Sequence, residues 1–372
     1  SNIELQNGDL GFTTGKDQNT TYNGPKYLRY ANPDITWEVG SKWNLGLDLG
    51  LFNDFNMSVD LFKETRSDIF MERQSIPQFI GTSPSDRYMD LKTKLYGNLG
   101  KVENKGMDLS VDYVHSFNKD FSMSFKGTFT YATNKVLEYD EPGYLAYPNL
   151  SRVGHSINQP LLYIADRLFI DDEEVANSPA QKLGGFVQAG DIKYKDIPNA
   201  DGVCDGVIDA NDRVYTGHPT VPEIVYGFGP SFQYKKWDFS FFFQGVARTS
   251  IVVGDIHPFG TDGLRNVQKF IANDYWSESN QNIYAGYPRL SKQYNQNNTV
   301  ASTYWLRNGA FLKLKDVEVG FSHKLFRVYL RGSNLLTFSP FDLWDPEQGN
   351  GNGMFYPTQK SFNVGIQFSF NK

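Results

Sequence analysis

The last alternating run of the chain, SFNVGIQFSF over residues 361–370, sets apolar Phe362, Val364, Ile366, Phe368 and Phe370 against Asn363, Gly365, Gln367 and Ser369. A period of two gives a strand one apolar and one wet face, whereas a helix would scatter the same residues around its axis. Ten residues is also about what a tilted strand needs to cross a bilayer's hydrocarbon core, roughly 9–11.

The same unit recurs upstream as hairpins. Trp43, Leu45, Leu47 and Leu49 alternate with Asn44, Gly46 and Asp48, and a polar turn at Asn53-Asp54 leads into Met57, Val59 and Leu61. Met107 to Tyr113 return through Asn118-Lys119-Asp120 as Phe121 to Tyr131, and Tyr226 to Tyr234 return through Lys235-Lys236 as Trp237 to Phe243. A fourth pair, 311–322 with 326–334, turns near His323-Lys324, and the parity slip between Leu314 and Val317 predicts a β-bulge. With the closing run this makes nine strands. The connections at 64–98, 134–222, 248–308 and 335–360 are long, and residues 1–35 have no periodicity, so all read as loop. Loops of that length count against a compact soluble domain. They are expected of an outer-membrane barrel, which has short turns on one side and long extracellular loops on the other.

The polar positions carry Asp48, Asp60, Asp108, Asp112, Lys126, Asp238, Glu318, Arg327 and Arg331, while the opposite face is nearly all aliphatic or aromatic. A sandwich with its apolar face buried would show the same alternation, but no second, shorter-looped strand set is present to cover it. No run approaches the ~18 apolar residues of a membrane helix, so any crossing must be made by strands. The net charge of −6, without a basic patch, excludes nucleic acid as a partner. Single-chain bacterial barrels have even strand numbers and nine strands are too few for loops this large, so part of a barrel is expected.

Several stretches together resemble the C-terminal half of the SusC/RagA family of TonB-dependent outer-membrane transporters. They are GKVENKG at 100–106, AGDIKYKDI at 189–197, DGVIDANDR at 205–213 followed by Tyr226-Gly-Phe, YWLRNGAFLKLKDVEVGF at 304–321, SNLLTFSPFDLWDPE at 333–347, and FNVGIQFSF at 362–370. The resemblance implies an all-β antiparallel transmembrane barrel of 22 strands filled by a plug, of which this chain supplies the C-terminal portion from residue 36 onward. Residues 1–35 would be an extracellular loop segment. It also implies a bacterial outer-membrane location, import of oligosaccharides or alternatively oligopeptides, a SusD-like surface lipoprotein as lid, and TonB as the energy source. The plug and the earlier strands are not in the sequence, so the chain is expected beside the remainder of its own barrel, as a proteolytic piece. A soluble or surface-attached all-β binding module is the alternative reading.

Two candidate sites lie in the loops. Residues 201–212 follow the spacing of a Ca²⁺ loop, with Asp201, Asp205, Val207 through its carbonyl, Asp209 and Asp212 as ligands, a turn glycine at Gly206 and Asn199 as a substitute. Carboxylates at alternate positions suit a hard cation, although Val203 stands where an oxygen ligand belongs. Loop aromatics Tyr139, Tyr144, Tyr147, Tyr275, Trp276, Tyr284, Tyr287, Trp344 and Tyr356 could stack on sugar rings beside amide and acid neighbours, or fill loop cores. Nothing in the chain predicts catalysis: the five His are dispersed, and Cys204 sits in an acidic loop that disfavours its thiolate. The acidic run 171–174 reads as a surface charge run.

Overall fold

The computed structural model of the chain describes residues 4–29, 32–75, 95–259 and 265–369. Two antiparallel strands come first, β1 (Glu4–Thr14) and β2 (Thr20–Arg29). Nine more make one sheet: β3 (Val39–Leu51), β4 (Phe55–Glu72), β5 (Tyr96–Asn118), β6 (Phe121–Glu138), β7 (Ile224–Tyr234), β8 (Trp237–Ala247), β9 (Phe311–Ser322), β10 (Phe326–Phe338) and β11 (Ser361–Phe368). Each pairs antiparallel with its sequence neighbour, so the order across the sheet is the order along the chain.

The register shows why alternation drives this pairing. Val59 faces Leu47 on one side and Leu109 on the other, Leu109 faces Phe129, and Phe129 faces Tyr226. At the other end Phe239 faces Val319, Val319 faces Leu330, and Leu330 faces Val364. Apolar therefore meets apolar across every ladder, and a slip of one residue would turn all of them over. The opposite face lines up Asp60, Asp108 and Thr130, with Thr130 Oγ1 donating to Asp108 at 2.6 Å. Arg327 on that face reaches Asp238 and, at 2.6 Å, Glu318, and Arg331 pairs with Asp316 at 2.6 Å. The predicted bulge is present: Phe242 and Phe243 face Asp316 and Leu314, leaving Lys315 as the extra residue.

Three expectations are corrected. Residues 4–29, read as loop, form the β1–β2 hairpin, turned by Gly15 (φ +98°) and Gln18 (φ +50°). Backbone pairing needs no apolar period, so alternation gave no sign of it. The loop read at 64–98 is also shorter, because β4 runs on to Glu72 and β5 starts at Tyr96. These extensions are charged, with Lys63 bonded to Glu103 at 2.9 Å; where both faces meet water, strands continue without a hydrophobic period. Pro77, Gly81 and Pro84 lie outside the described residues. The first turn falls one residue earlier than expected: Phe52 and Asn53 take positive φ, and the Asp54 N–H donates to the Leu51 carbonyl at 3.2 Å.

The buried core is not in the sheet. Tyr163, Leu168, Ile192, Ile208, Ile251, Trp276, Trp305 and Phe341 form one cluster drawn from the three long loops after β6, β8 and β10. Short strand pairings stitch them, among them Leu161–Tyr163 with Arg213–Tyr215 and Ser250–Val252 with Leu306–Asn308. Backbone bonds from Gly254 to Gly351 (2.8 Å) and from Thr303 to Tyr163 (2.9 Å) join loop to loop. The sheet's apolar face stays uncovered, with Val364 75% and Leu47 59% exposed. Its edges β3 and β11 each pair with one neighbour only among the described residues.

Candidate functional site

At the centre of the loop unit, buried Asp191 and Asn297 are paired with side chains and backbone from neighbouring loops. Asp191, with no exposed surface, accepts from Arg289 Nε and Asn298 Nδ2, both at 2.8 Å, and from the Gln188 N–H at 2.9 Å. Asn297, equally buried, accepts from Gln181 Nε2 at 2.7 Å and donates to the Ile192 carbonyl at 3.0 Å. Trp305 Nε1 donates to the Asn298 carbonyl at 2.9 Å. Satisfied buried groups of this kind fix one arrangement of three otherwise irregular loops.

This arrangement sorts the candidate aromatics. Trp276 and Tyr287 are buried, and the Trp276 ring lies on Gly190, where a Cβ would sit 2.2 Å from it and φ is +80°. Tyr275 bridges Tyr287 through backbone and packs on the core, and Trp344 stands edge-on to Phe341 at 4.7 Å. These four are loop core. Tyr139 is half-buried under Arg152, 4.9 Å from the ring centroid, and Tyr144 and Tyr147 are half-buried nearby. Tyr284 and Tyr356, at 74% and 80% exposure, alone among the nine present most of their rings to solvent. Phe186 and Phe355 are exposed as well, at 86% and 62%, in sequence segments with no periodicity to mark them.

In the acidic loop the carboxylates are occupied by backbone. Asp212 Oδ1 accepts from Ile197 N–H (2.8 Å) and Oδ2 from Asp209 N–H (2.7 Å); Asp209 Oδ1 caps Asn211 (2.8 Å), and Asp205 Oδ1 caps Val207 (2.9 Å). No three His, Cys, Asp or Glu side chains among the described residues are spaced as a ready metal shell. Asp201 is exposed. The carboxylate that reaches the Gly206 turn is instead that of Asp196, outside the expected set. Its Oδ2 accepts from Gly206 N–H at 2.8 Å, while its Oδ1 is buried without a partner. Burial, reinforced by the neighbouring Asp196 and Asp209 carboxylates, raises the pKa of Asp212. The run 171–174 caps a short helix, Asp172–Ala176, and the Arg167 guanidinium holds the Glu174 carboxyl down at about 2.

Comparison with known proteins decides what this sheet belongs to. The profile described as TonB dependent receptor-like, beta-barrel matches residues 6–335. The chain belongs to that family. It is 24% identical over 383 residues to TonB-dependent receptor P3 of Formosa agariphila, covering 94% of this chain and 36% of the relative. It is likewise 24% identical over 376 residues to TonB-dependent receptor SusC of Bacteroides thetaiotaomicron, covering 94% and 34%. Among solved structures, the RagAB peptide importer in its open-open state superposes with a TM-score of 0.70 at 22% identity, over 99% of this chain and 37% of that one. The chain thus spans about a third of the length of these relatives. As part of a TonB-dependent receptor barrel it is an outer-membrane protein, and no helix among the described residues is long and apolar enough to cross a membrane. Strands do the crossing, with the apolar face to lipid and the charged face to the lumen. The alternative of a soluble binding module is set aside, since it would need that apolar face covered.

Proposed function

We propose that this chain is the C-terminal part of the barrel of a SusC/RagA-type importer that takes up oligosaccharides beneath a SusD-like lipoprotein, with energy supplied by TonB through the plug of the whole protein. The observation that carries the proposal is the packed loop unit at one rim, with Phe186, Tyr284, Phe355 and Tyr356 exposed on it, above a charged lumen wall. Ring faces beside amides such as Asn282, whose Oδ1 accepts from the Tyr284 N–H at 3.0 Å, suit sugar rings and their hydroxyls. Oligopeptides are the alternative cargo, since the structurally similar RagAB is a peptide importer. In titrations of the whole transporter against oligosaccharide and oligopeptide panels, Tyr284→Ala and Tyr356→Ala are each expected to weaken oligosaccharide binding about five- to tenfold, the usual scale for an anchoring aromatic. Binding of peptides alone would transfer the site to the second cargo.

A second proposal concerns Ca²⁺ in the acidic loop, and the spare buried oxygen of Asp196 is what favours it. Asp196 would take the place that spacing gave to Asp201, joined by Asp205, Asp209, Asp212 and the Val207 carbonyl. A cation there would relieve the repulsion from Asp196 and Asp209 that adds to burial in raising the Asp212 pKa, and would order the loop against the lid. Calorimetry of the intact transporter should show Ca²⁺ heat at or below millimolar metal, lost in Asp196→Ala and Asp205→Ala and kept in Asp201→Ala. Absence of that heat in the unmodified protein would dispose of the site.

A further inference from the structure

The polar face of the sheet carries three aromatic rings where its alternation otherwise places charge, hydroxyl or amide: Phe62 in β4, Phe242 in β8 and Tyr329 in β10. Their neighbours along each strand fix the side. Leu61, Phe243 and Leu330 belong to the lipid-facing ladders, so Phe62, Phe242 and Tyr329 turn to the lumen with Asp60, Gln244 and Arg331.

Each ring lies across a glycine of an adjacent strand. A Cβ built on Gly106 would stand 2.6 Å from the Phe62 ring and one on Gly227 2.9 Å from that of Phe242, and Tyr329 covers Gly365 in the same way. With no side chain beneath it, a ring settles against the backbone, one face on the wall and the other toward water. Phe242 keeps 38% of its surface exposed there. The rings also descend. Counted from the short-turn ends of their strands, Phe62 lies seven residues above Phe55, Phe242 five above Trp237 and Tyr329 three above Phe326. They are four strands and then two strands apart, about 19 and 10 Å at ~4.8 Å per strand.

Polar groups flank every ring. Asn44 stands across from Phe62; Asp316, held by Arg331 at 2.6 Å, stands across from Phe242; and the Arg327 guanidinium is 5.0 Å from the Tyr329 ring centroid. A single ring bordered by amides and charges offers no apolar patch on which the core of another domain could close. A sugar brings a C–H face for the ring and hydroxyls for the border.

We infer that Phe62, Phe242 and Tyr329 are successive stacking steps for an oligosaccharide passing down the lumen wall after it leaves the loop unit. The inference rests on the oligosaccharide reading above and adds a route to it: the exposed loop aromatics capture the cargo, and the wall rings guide its passage.

The test uses cells carrying the whole transporter with its lipoprotein and TonB, and a fluorescent end-labelled form of the oligosaccharide that binds the purified whole transporter most tightly. Uptake at saturating concentration is read against equilibrium binding. Phe62→Ser, Phe242→Ser and Tyr329→Ser restore the polar alternation at positions that already face water. Each should slow uptake about three- to tenfold, the scale of one lost ring contact, while affinity stays within about twofold; Phe242→Trp, which keeps a ring, should keep the rate. Tyr226, which covers Gly245 on the lipid face, supplies the control: Tyr226→Leu loses the same kind of ring-on-glycine contact and should leave uptake per folded transporter unchanged. Uptake undiminished in the three serine variants with binding intact would overturn the track and leave the oligosaccharide reading standing, whereas an unmodified transporter that binds no oligosaccharide would overturn both. An equal loss in Tyr226→Leu, or serine variants that make the cells sensitive to vancomycin, would show that the rings hold the sheet or the plug and would likewise overturn the track.

Discussion

Replacing Lys313 with alanine is expected to release the loop after β10 from the barrel rim. Lys313 stands at the loop end of β9 with 1% of its side chain exposed, and its ammonium donates to Asp345 and to Glu347, each at 2.6 Å. Lys315, the bulge residue, takes the other Glu347 oxygen at 2.5 Å. One buried cation thus ties the segment around Pro346–Gln348 to the sheet, and Phe341 and Trp344 are carried into the loop core with it. Removing Lys313 strands the Asp345 carboxylate and leaves Glu347 with Lys315 as its remaining cationic partner among the described residues. Breaking a buried pair costs about 3–5 kcal/mol, and the partial exposure of the two acids puts the loss near the lower end, about 3 kcal/mol. Hydrogen exchange over 339–360 in the whole transporter should rise by about two orders of magnitude, while β9 and β10 below the rim keep their protection. Lys313→Met together with Asp345→Asn and Glu347→Gln should recover most of the loss, because it removes the stranded charges as well. Exchange unchanged in Lys313→Ala would mean that the core contacts alone hold the loop.

The same latch is expected to weaken on acidification. Burial by itself would raise the Asp345 and Glu347 carboxyls, but hydrogen bonds from Lys313, joined at Glu347 by Lys315, outweigh it and hold both below the ordinary carboxylate range. A carboxyl whose folded pKa is depressed contributes stability that is fully present above its unfolded value, and that is lost as pH falls through the folded one. The loop should therefore stay closed at neutral pH and begin to open below about pH 4.

Much of the architecture was legible because a membrane imposes period two on every strand that crosses it. The Phe239, Phe241 and Phe243 series in β8 and the parity slip at Lys315 were each readable from a few residues, and each recurs in the register. Where the membrane stops acting, the signal stops too. β4 beyond Lys63 and β5 before Met107 pair through charged side chains, and β1 and β2 pair without any apolar period. Trp276 and Tyr284 show the same limit in the loops: eight residues apart in one stretch without periodicity, one is buried on Gly190 and the other is exposed. Position relative to a three-loop core decides that, and no local pattern encodes it. Asp196 was missed because spacing counts residues along an unbroken loop. Here the chain folds back between 196 and 205, with Asn199 Oδ1 accepting from the Asp201 and Val203 N–H groups at 3.0 Å and Gly202 at φ +78°. That detour brings a carboxylate from outside the motif to the Gly206 turn.

The assignment of faces leads to the other large effect. Ser58 and Val59 are consecutive in β4, so their side chains leave the sheet on opposite sides. Val59 lies between Leu47 and Leu109 on the apolar face, and Ser58 lies between Asp48 and Ser110 on the charged one. Arginine at 59 would place a guanidinium against hydrocarbon with no partner on either neighbouring strand. On a lipid-facing barrel position that costs about 2–4 kcal/mol near the midplane and less toward the interfaces. Arginine at 58 would point into the water-filled side opposite the Asp48 carboxylate, where an ion pair is worth from nothing to about 1 kcal/mol. Urea unfolding of the whole transporter in detergent micelles should therefore separate two substitutions one residue apart: Val59→Arg lowers the midpoint strongly, and Ser58→Arg leaves it within about 0.5 kcal/mol of the unmodified protein. The contrast removes the usual ambiguity of a charge in a β-strand, since strand propensity, neighbouring residues and distance from the turn are nearly the same for both. If the two arginines were equally harmful, both faces of β4 would be covered by protein. If Ser58→Arg were the damaging one, the apolar face would point inward and the barrel would have to be turned inside out.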